Sequence, residues 1–278
     1  MPVHSLTPRF LEKIWGSPHL APWFPDTASQ IGENATGTIG EKKIGEVWLE
    51  SPTGEPLPLL IKFLFTTERL SVQVHPKDAY AQHHHQSPGK TEMWHILRAG
   101  PGAEIALGLR EPLTAHELSE ASQSGAVEQK LNWFEVHPGE TYFVPAGTIH
   151  AIGAGVALCE IQQQSDVTYR LYDYGRPREL HLDHAIAVSD LTAYEAPPQS
   201  PGCLVESAYF RTERLVIDHD ISIYTDSTRP SWLICLEGEG TIDATPYLPG
   251  QAWEIEKGTS EVSMNPTRRS VFLKTLVP

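Results

Sequence analysis

Four polar residues in three separate stretches of the sequence have the types and spacing of a metal site. Gln73 and His75 lie two positions apart between valines, so a strand would present both side chains on one face. Glu92 and His150 follow in later stretches of strand-like composition. Two imidazoles, one carboxylate and one amide suit Zn²⁺ and tolerate Mn²⁺, Co²⁺ or Ni²⁺, with a coordination position left for substrate. Each residue alone would more often be an ordinary half-buried side chain, and only the combination indicates a metal.

The segment that follows His150 has an unusually polar face. Glu160, Gln162, Asp166 and Arg170 share one parity of an extended chain, and the alternate positions are mostly apolar. An antiparallel strand with its polar face in water would give the same pattern. Because the segment comes directly after His150, we predict that its polar face points into a barrel, beside the metal.

Three consecutive histidines, His83, His84 and His85, form a second eye-catching group. Histidine-rich tracts can bind metal ions. These residues lie in a polar stretch between Pro76 and Pro88, which predicts an exposed loop without a role in catalysis.

The charge balance restricts the classes of ligand that the chain can bind. Its 278 residues carry a formal net charge of -14, which would repel nucleic-acid phosphates. A phosphorylated substrate would therefore need locally placed cations. The candidates are Lys90 and Arg170, followed by Lys62, Arg176 and Arg178.

Cysteine usage and hydropathy predict a cytoplasmic protein. Cys159, Cys203 and Cys235 are far apart and form no CxxC pair, which favours neither a disulfide framework nor a thiolate metal site. The N-terminus has no apolar core of signal-peptide length, and no stretch is apolar enough to span a bilayer. We expect no nucleic-acid or membrane partner. The sequence carries no signal of oligomeric state, so it does not decide between a monomer and an oligomer.

Turn residues divide the chain into short strand-like runs. With 23 prolines and 21 glycines between runs of Val, Ile, Thr and aromatic residues, the sequence predicts a mainly β fold, a barrel or a sandwich. One helical insertion is predicted at 114–123, where Thr114 and Glu117 form a capping box and Gly125 a stop. The predicted strands are 46–50, 59–65, 70–75, 92–97, 105–109, 132–136, 141–144 and 157–163.

A change of composition near residue 200 predicts two domains. Residues 195–202 are rich in proline and end in glycine, which is typical of a linker. We therefore predict a domain with the metal site at 1–196 and a second β-rich domain at 203–278.

The stretch that ends at His150 matches a known motif. Gly139, Pro145, Gly147 and His150 fit the second cupin motif, G-x5-P-x-G-x2-H, at every spacing, so this part resembles the cupin superfamily. The first cupin motif usually has His-x-His followed closely by Glu, and the sequence departs from it. Four stretches resemble, in order, type I mannose-6-phosphate isomerase in its short bacterial form: 70–78, 90–94, 144–151 and 160–176.

This resemblance covers roughly residues 1–185 and implies a fold, an activity and a site. The implied fold is a cupin (jelly-roll) β-barrel followed by a second, metal-free cupin-like lobe. The implied activity is zinc-dependent isomerisation, and Lys90, Asp166 and Arg170 are implied to lie in the active site. The implied zinc ligands are Gln73, His75, Glu92 and His150.

The reaction implied by the resemblance interconverts D-mannose 6-phosphate and D-fructose 6-phosphate through an enediol. A proton moves between C1 and C2 while charge develops on the sugar oxygens. Lys90 and Glu160 are the candidate acid and base, and the sequence does not choose between them. Arg170 is the candidate for oxyanion or phosphate contact.

Three other functions compete with this interpretation. A related cupin isomerase for another sugar or sugar phosphate would keep the ligands and change the cations. A non-catalytic sugar-binding cupin is a second alternative, because the fold hosts many functions. A metal oxygenase is less favoured, since an amide such as Gln73 as fourth ligand suits a redox-inert metal better.

Overall fold

A computed structural model describes residues 3–25, 42–197 and 202–278. In these residues the chain forms 21 strands and four helices, which confirms the prediction of a mainly β fold. The helices are α1 (Asp78–His85), α2 (Ala115–Ser124), α3 (Val127–Lys130) and α4 (Leu182–Val188). The strands are β1 (Val3–Ser5), β2 (Thr7–Ser17), β3 (Ile44–Glu50), β4 (Leu59–Phe65), β5 (Val72–Val74), β6 (Glu92–Ala99), β7 (Glu104–Leu109), β8 (Leu131–Glu135), β9 (Thr141–Val144), β10 (His150–Ile152), β11 (Val156–Gln163), β12 (Tyr169–Tyr172), β13 (Val205–Glu206), β14 (Arg211–Ile217), β15 (Ile221–Tyr224), β16 (Ser231–Glu237), β17 (Gly240–Ile242), β18 (Thr245–Tyr247), β19 (Ala252–Ile255), β20 (Glu261–Pro266) and β21 (Ser270–Leu276).

The described residues divide into two compact units. The first unit contains residues 13–16 and 64–197, and the second contains 3–12, 17–25, 42–63 and 202–278. The predicted boundary near residue 200 lies outside the described residues. The ranges 1–196 and 203–278 stay a prediction for the two domains.

One sheet of the first unit has helices on its outer face. Its strand order is β12-β5-β10-β7-β8. Val72, Val74, Tyr169 and Leu171 pack with side chains of α2, α3 and α4 in one buried cluster. Because side chains alternate along a strand, the residues between them face the opposite side of the sheet.

That opposite side packs on β6, β9 and β11. Ile105, Leu107 and Ile152 of the first sheet share a buried cluster with Trp94 and Leu158 from β6 and β11. β6 pairs antiparallel with both β11 and β9. The first unit therefore encloses an interior between two layers of strands, and the inward-facing residues line it.

The second unit is also built from facing sheets. One has the order β1-β19-β16-β21-β14-β13 and the other β15-β20-β17-β18. Leu233 and Phe272 from the first of these meet Val262 and Met264 from the second in one buried cluster. The space between these sheets is filled by an apolar core.

Several local predictions can be compared with these elements. The strands predicted at 59–65 and 141–144 are confirmed to the residue, and the strand predicted at 70–75 is shorter, Val72–Val74. Thr114 caps α2 through the predicted capping box with Glu117. Gly125 ends that helix with φ 80°, a left-handed conformation that favours glycine.

The loop predicted for the three histidines is wrong. His83, His84 and His85 are exposed, as expected, but they form the last turn of α1. The prediction followed the flanking prolines and missed Asp78 at the first helical position, where an acidic side chain interacts favourably with the helix dipole. No helix among the described residues is long and apolar enough to cross a membrane.

Candidate metal centre

Three neighbouring strands place a row of polar side chains in the interior of the first unit. Arg170 on β12 pairs with Gln73 on β5, and Gln73 pairs with His150 on β10. Val72 and Val74, on either side of Gln73, belong to the cluster on the helix side of the sheet. The alternation of β5 therefore turns Gln73 towards the interior, as the sequence predicted.

The carboxylate of Glu92 reaches this row from the opposite layer of strands. Glu92 Oε2 lies 3.5 Å from His75 Nε2, and Glu92 Oε1 lies 3.5 Å from His150 Nε2. Each of the three residues is 1% exposed. Their ligand atoms all lie within 4.8 Å of one another, and the described residues hold no other such group of three.

Backbone carbonyls orient both imidazoles. His75 Nδ1 lies 3.0 Å from the Val167 carbonyl oxygen, and His150 Nδ1 lies 2.9 Å from the Thr148 carbonyl oxygen. A carbonyl only accepts hydrogen bonds, so each Nδ1 carries the proton and donates it. The Nε2 lone pair of each ring is left on the side of Glu92. This is the arrangement in which metal-binding histidines are usually held.

Gln73 completes the group as an amide. Ser71 Oγ donates to Gln73 Oε1 over 3.2 Å, and Gln73 Nε2 lies 3.2 Å from His150 Nε2. A half-turn of the amide would exchange its oxygen and nitrogen and bring Oε1 to the side of His150. Gln73 can therefore supply the oxygen that a metal takes from an amide.

The chemistry of these side chains fits a divalent cation. Glu92 Oε2 is buried and accepts no hydrogen bond from the described residues. A buried carboxylate oxygen that accepts no hydrogen bond is unfavourable, and two oriented imidazole nitrogens beside it form the donor set of zinc-type sites. His75, Glu92 and His150 could therefore hold such an ion, and the Gln73 amide lies beside them.

Two candidate proton-transfer groups are buried in the same interior. Lys90 is 5% exposed, and its Nζ lies 3.6 Å from Glu92 Oε2. Glu160 is 3% exposed and pairs with Trp94, and its neighbour on the same face, Gln162, pairs with Glu92. The predicted interior face therefore holds along β11, at Glu160 and Gln162, but it is wrong at Asp166, because the chain leaves the strand after Gln163 and exposes that side chain.

The predicted cations have different surroundings. In the described part of the chain the Arg170 guanidinium makes no ion pair, and lost hydration, followed by the charge of Arg178, lowers the pKa of Arg170. Arg178 binds the buried carboxylate of Asp173 with two hydrogen bonds of 2.6 Å. Arg176 lies 3.6 Å from Asp173, donates to the Arg69 carbonyl and stacks on Tyr174. Arg170 is thus the cation aligned with Gln73 and His150.

The other predicted residues lie at different places. Lys62 is buried on β4 in the second unit, with Nζ 3.8 Å from Glu46 Oε2. Asp166 is exposed in the connection between β11 and β12, one residue before the carbonyl that orients His75. His83 and His84 line a groove of about 1460 Å³ that none of the four ligands lines. This large groove is therefore not the candidate metal site, which is identified by its buried donor atoms.

Some residues around the site were missed by the sequence analysis. Trp94 is fully buried and its ring packs edge-on against His150, with centroids 5.4 Å apart. Asp78 and Gln163 hold the segment that precedes Glu92. Their types gave no signal, because an exposed Asp at a helix start and a Gln at a strand end are common features.

Comparisons with known proteins point to one family. The chain is 33% identical over 278 residues to mannose-6-phosphate isomerase ManA of Bacillus subtilis, with 87% of each chain covered. The chain belongs to the mannose-6-phosphate isomerase family. The solved mannose 6-phosphate isomerase of Bacillus subtilis is similar over 98% of both chains, with a TM-score of 0.82 and 26% identity. This likeness confirms the cupin fold.

A second solved mannose 6-phosphate isomerase, described as bound with zinc and yttrium, is similar in fold. Its TM-score is 0.70 at 17% identity over 99% of both chains. No protein-family model matches the chain.

Proposed function

We propose that this chain is a metal-dependent isomerase that interconverts D-mannose 6-phosphate and D-fructose 6-phosphate. The observation that carries the proposal is the buried group of His75, Glu92 and His150, with Lys90 Nζ 3.6 Å from Glu92. Family membership supports the substrate, and the zinc in one relative supports zinc as the metal.

The proposed reaction moves one proton between neighbouring carbons. In the open-chain aldose, a base removes the proton from C2 while O1 gains a proton, which gives the enediol. Loss of the O2 proton and protonation of C1 then give the ketose. A bound zinc ion would stabilise negative charge on the sugar oxygens.

Lys90 and Glu160 are the proposed acid and base. Both are buried in the interior of the first unit, and Lys90 Nζ lies 3.6 Å from Glu92 Oε2. A neutral amine can accept a proton, and a carboxyl group can return one. We assign the two steps to this pair, because the described geometry favours neither group for the first step.

Arg170 is the proposed contact for the anionic part of the substrate. Its guanidinium makes no ion pair within the described residues, and Arg170 pairs across the sheet with Gln73, which places a positive charge beside the candidate ligands. A guanidinium can bind phosphate oxygens with two parallel hydrogen bonds. Lys62, Arg176 and Asp166 stay secondary candidates for substrate binding or catalysis.

The same proposal includes a cytoplasmic location and a small-molecule partner.

A redox role for the metal is less favoured, because Gln73 adds an amide to two histidines and a carboxylate. A related isomerase for a different sugar phosphate is the remaining competitor.

The test is a coupled isomerase assay on metal-stripped protein. We expect no turnover until zinc is added, and then turnover of mannose 6-phosphate well above that of glucose 6-phosphate or free mannose. Full activity without metal would refute the metal dependence. Equal turnover of the three sugars would refute the substrate.

A further inference from the structure

The backbone that carries Lys90 is held at three successive N–H groups. Asp78 Oδ1 accepts a hydrogen bond of 2.7 Å from Gly89 N–H. The Pro76 carbonyl accepts one of 3.0 Å from Lys90 N–H. Gln163 Oε1 accepts one of 2.9 Å from Thr91 N–H. The segment is therefore fixed immediately before β6 begins at Glu92.

The two side chains in this set are also bonded to each other. Gln163 Nε2 donates to Asp78 Oδ1 over 2.8 Å, and Gln163 N–H donates to the Thr91 carbonyl over 3.1 Å. Gln163 is 7% exposed at the end of β11. Asp78 is exposed overall, at the start of α1. One carboxylate oxygen thus links α1, β11 and the segment 89–91.

Gly89 shows how closely this segment lies against the chain after β5. A Cβ atom on Gly89 would lie 2.6 Å from Asp78 N, 2.8 Å from the Lys77 carbonyl carbon and 2.8 Å from the Pro76 oxygen. These are backbone atoms, which cannot move aside cheaply. The close approach needs glycine, and it keeps the backbone of Lys90 beside Pro76, the residue that follows His75.

Lysine has four rotatable side-chain bonds, so a fixed backbone is needed to aim its amine. A catalytic group displaced by about 1 Å can lose on the order of 100-fold in rate. We propose that Asp78 and Gln163 are positioning residues for Lys90, acting through the Gly89–Thr91 backbone. This inference rests on the proposed function, since it takes Lys90 as a group of the reaction.

The first test compares Asp78→Ala with Asp78→Asn. Alanine removes the hydrogen bonds from Gly89 and Gln163, whereas asparagine keeps an acceptor oxygen at Oδ1 and replaces Oδ2 with an uncharged NH2 group. We expect Asp78→Ala to lower kcat by about 10- to 100-fold with zinc content unchanged, and Asp78→Asn to stay within about threefold of wild type. Asp226→Ala is the matched control, because Asp226 Oδ1 also accepts two hydrogen bonds, in the second unit.

The second test is a double-mutant cycle. If Asp78 acts through Lys90, adding Asp78→Ala to Lys90→Ala should cause no further loss of kcat. An additive loss would overturn the proposal, as would near-normal kcat for Asp78→Ala. Equal losses for Asp78→Ala and Asp78→Asn would assign the effect to charge instead. If Asp78→Ala does not fold, Gln163→Met, which keeps the length and removes both amide contacts, takes its place in the cycle.

Amide hydrogen exchange separates this inference from the proposed function. Gly89 N–H should be protected in wild type and in Asp78→Asn, and should exchange at least about tenfold faster in Asp78→Ala. Unprotected Gly89 in wild type would overturn the inference whatever the activity. An inactive zinc-loaded wild type with protected Gly89 would refute the proposed function and leave the hydrogen bonds themselves confirmed.

Discussion

The second unit fills the space between its sheets with apolar side chains, among them Leu233, Val262 and Phe272. The first unit places a similar apolar cluster around Trp94 at one part of its interior, but Glu92, His75 and His150 lie buried beside it. A buried polar group without full hydrogen bonding costs about 1–3 kcal/mol. The second unit also buries a charged pair, Lys62 and Glu46, but within the described residues only the first unit brings two imidazoles and a carboxylate together with their ligand atoms within 4.8 Å, and this grouping indicates function.

The comparison predicts that the two interiors respond to mutation in opposite ways. Substitutions at the polar interior should remove metal or activity while the protein stays folded. Substitutions at the apolar interior should remove stability while each folded molecule keeps its activity.

The largest expected effect is that of removing both ligand imidazoles. His75→Ala/His150→Ala leaves one carboxylate and one amide, too few donors for a zinc-type site. We expect metal content near zero and no measurable isomerisation, with the far-UV circular dichroism spectrum preserved. Stoichiometric metal in this variant would show that the ligands are elsewhere.

The apolar core of the second unit should give the next largest effect. Phe272 is fully buried, and Phe→Ala substitutions in cores cost about 3–5 kcal/mol. We expect Phe272→Ala to lower the free energy of unfolding by this amount, measured by urea titration. Its kcat per folded molecule should be unchanged, and a large loss of kcat would contradict the contrast between the units.

Removing either cation beside the ligands should slow the reaction without unfolding the protein. Losing a charge-assisted contact in the transition state costs about 2–4 kcal/mol, or roughly 30- to 1000-fold in rate. We expect Lys90→Ala and Arg170→Ala to keep their metal and lose kcat/KM by this factor. Arg178→Ala is the comparison variant, because Arg178 already binds Asp173. Near-normal turnover by both site variants would place the cations of the site elsewhere.

A smaller effect concerns pH and the end of α1. Lost hydration, followed by the charges of His83, His184 and His85, lowers the pKa of His84. His84 therefore binds a proton more readily in the unfolded chain than in the folded one. The contribution of His84 to the free energy of unfolding is complete above the ordinary histidine pKa of about 6.5, and it is lost as pH falls through the lowered pKa. We expect Tm to fall less between pH 7.5 and 5.5 in His84→Asn than in wild type. Identical pH dependence would contradict this.

The smallest expected effect is that of replacing His83, His84 and His85 with Ser. These side chains are exposed and none belongs to the group of metal ligands. We expect kcat/KM at pH 7.5 to stay within about twofold of wild type, as for other surface substitutions. A folded but inactive triple variant would show that the end of α1 takes part in the reaction.

The sequence alone determined the features that depend on local spacing. The parity of Gln73 and His75 predicted their shared face, because side chains alternate on any strand. The residues of the second cupin motif indicated the fold, since turns need their glycines and prolines at set positions. The capping box at Thr114 was readable because its contacts lie within four residues.

Only the tertiary structure decided which distant groups meet. Pairing across β5, β10 and β12 aligned Gln73 with His150 and Arg170, and the facing layer brought Glu92 within 3.5 Å of two imidazoles. The hydrogen bonds of Asp78 to Gly89 and Gln163 join residues 11 and 85 positions apart. No local pattern encodes such contacts, because they depend on how the strands pair and not on the residues next to each group.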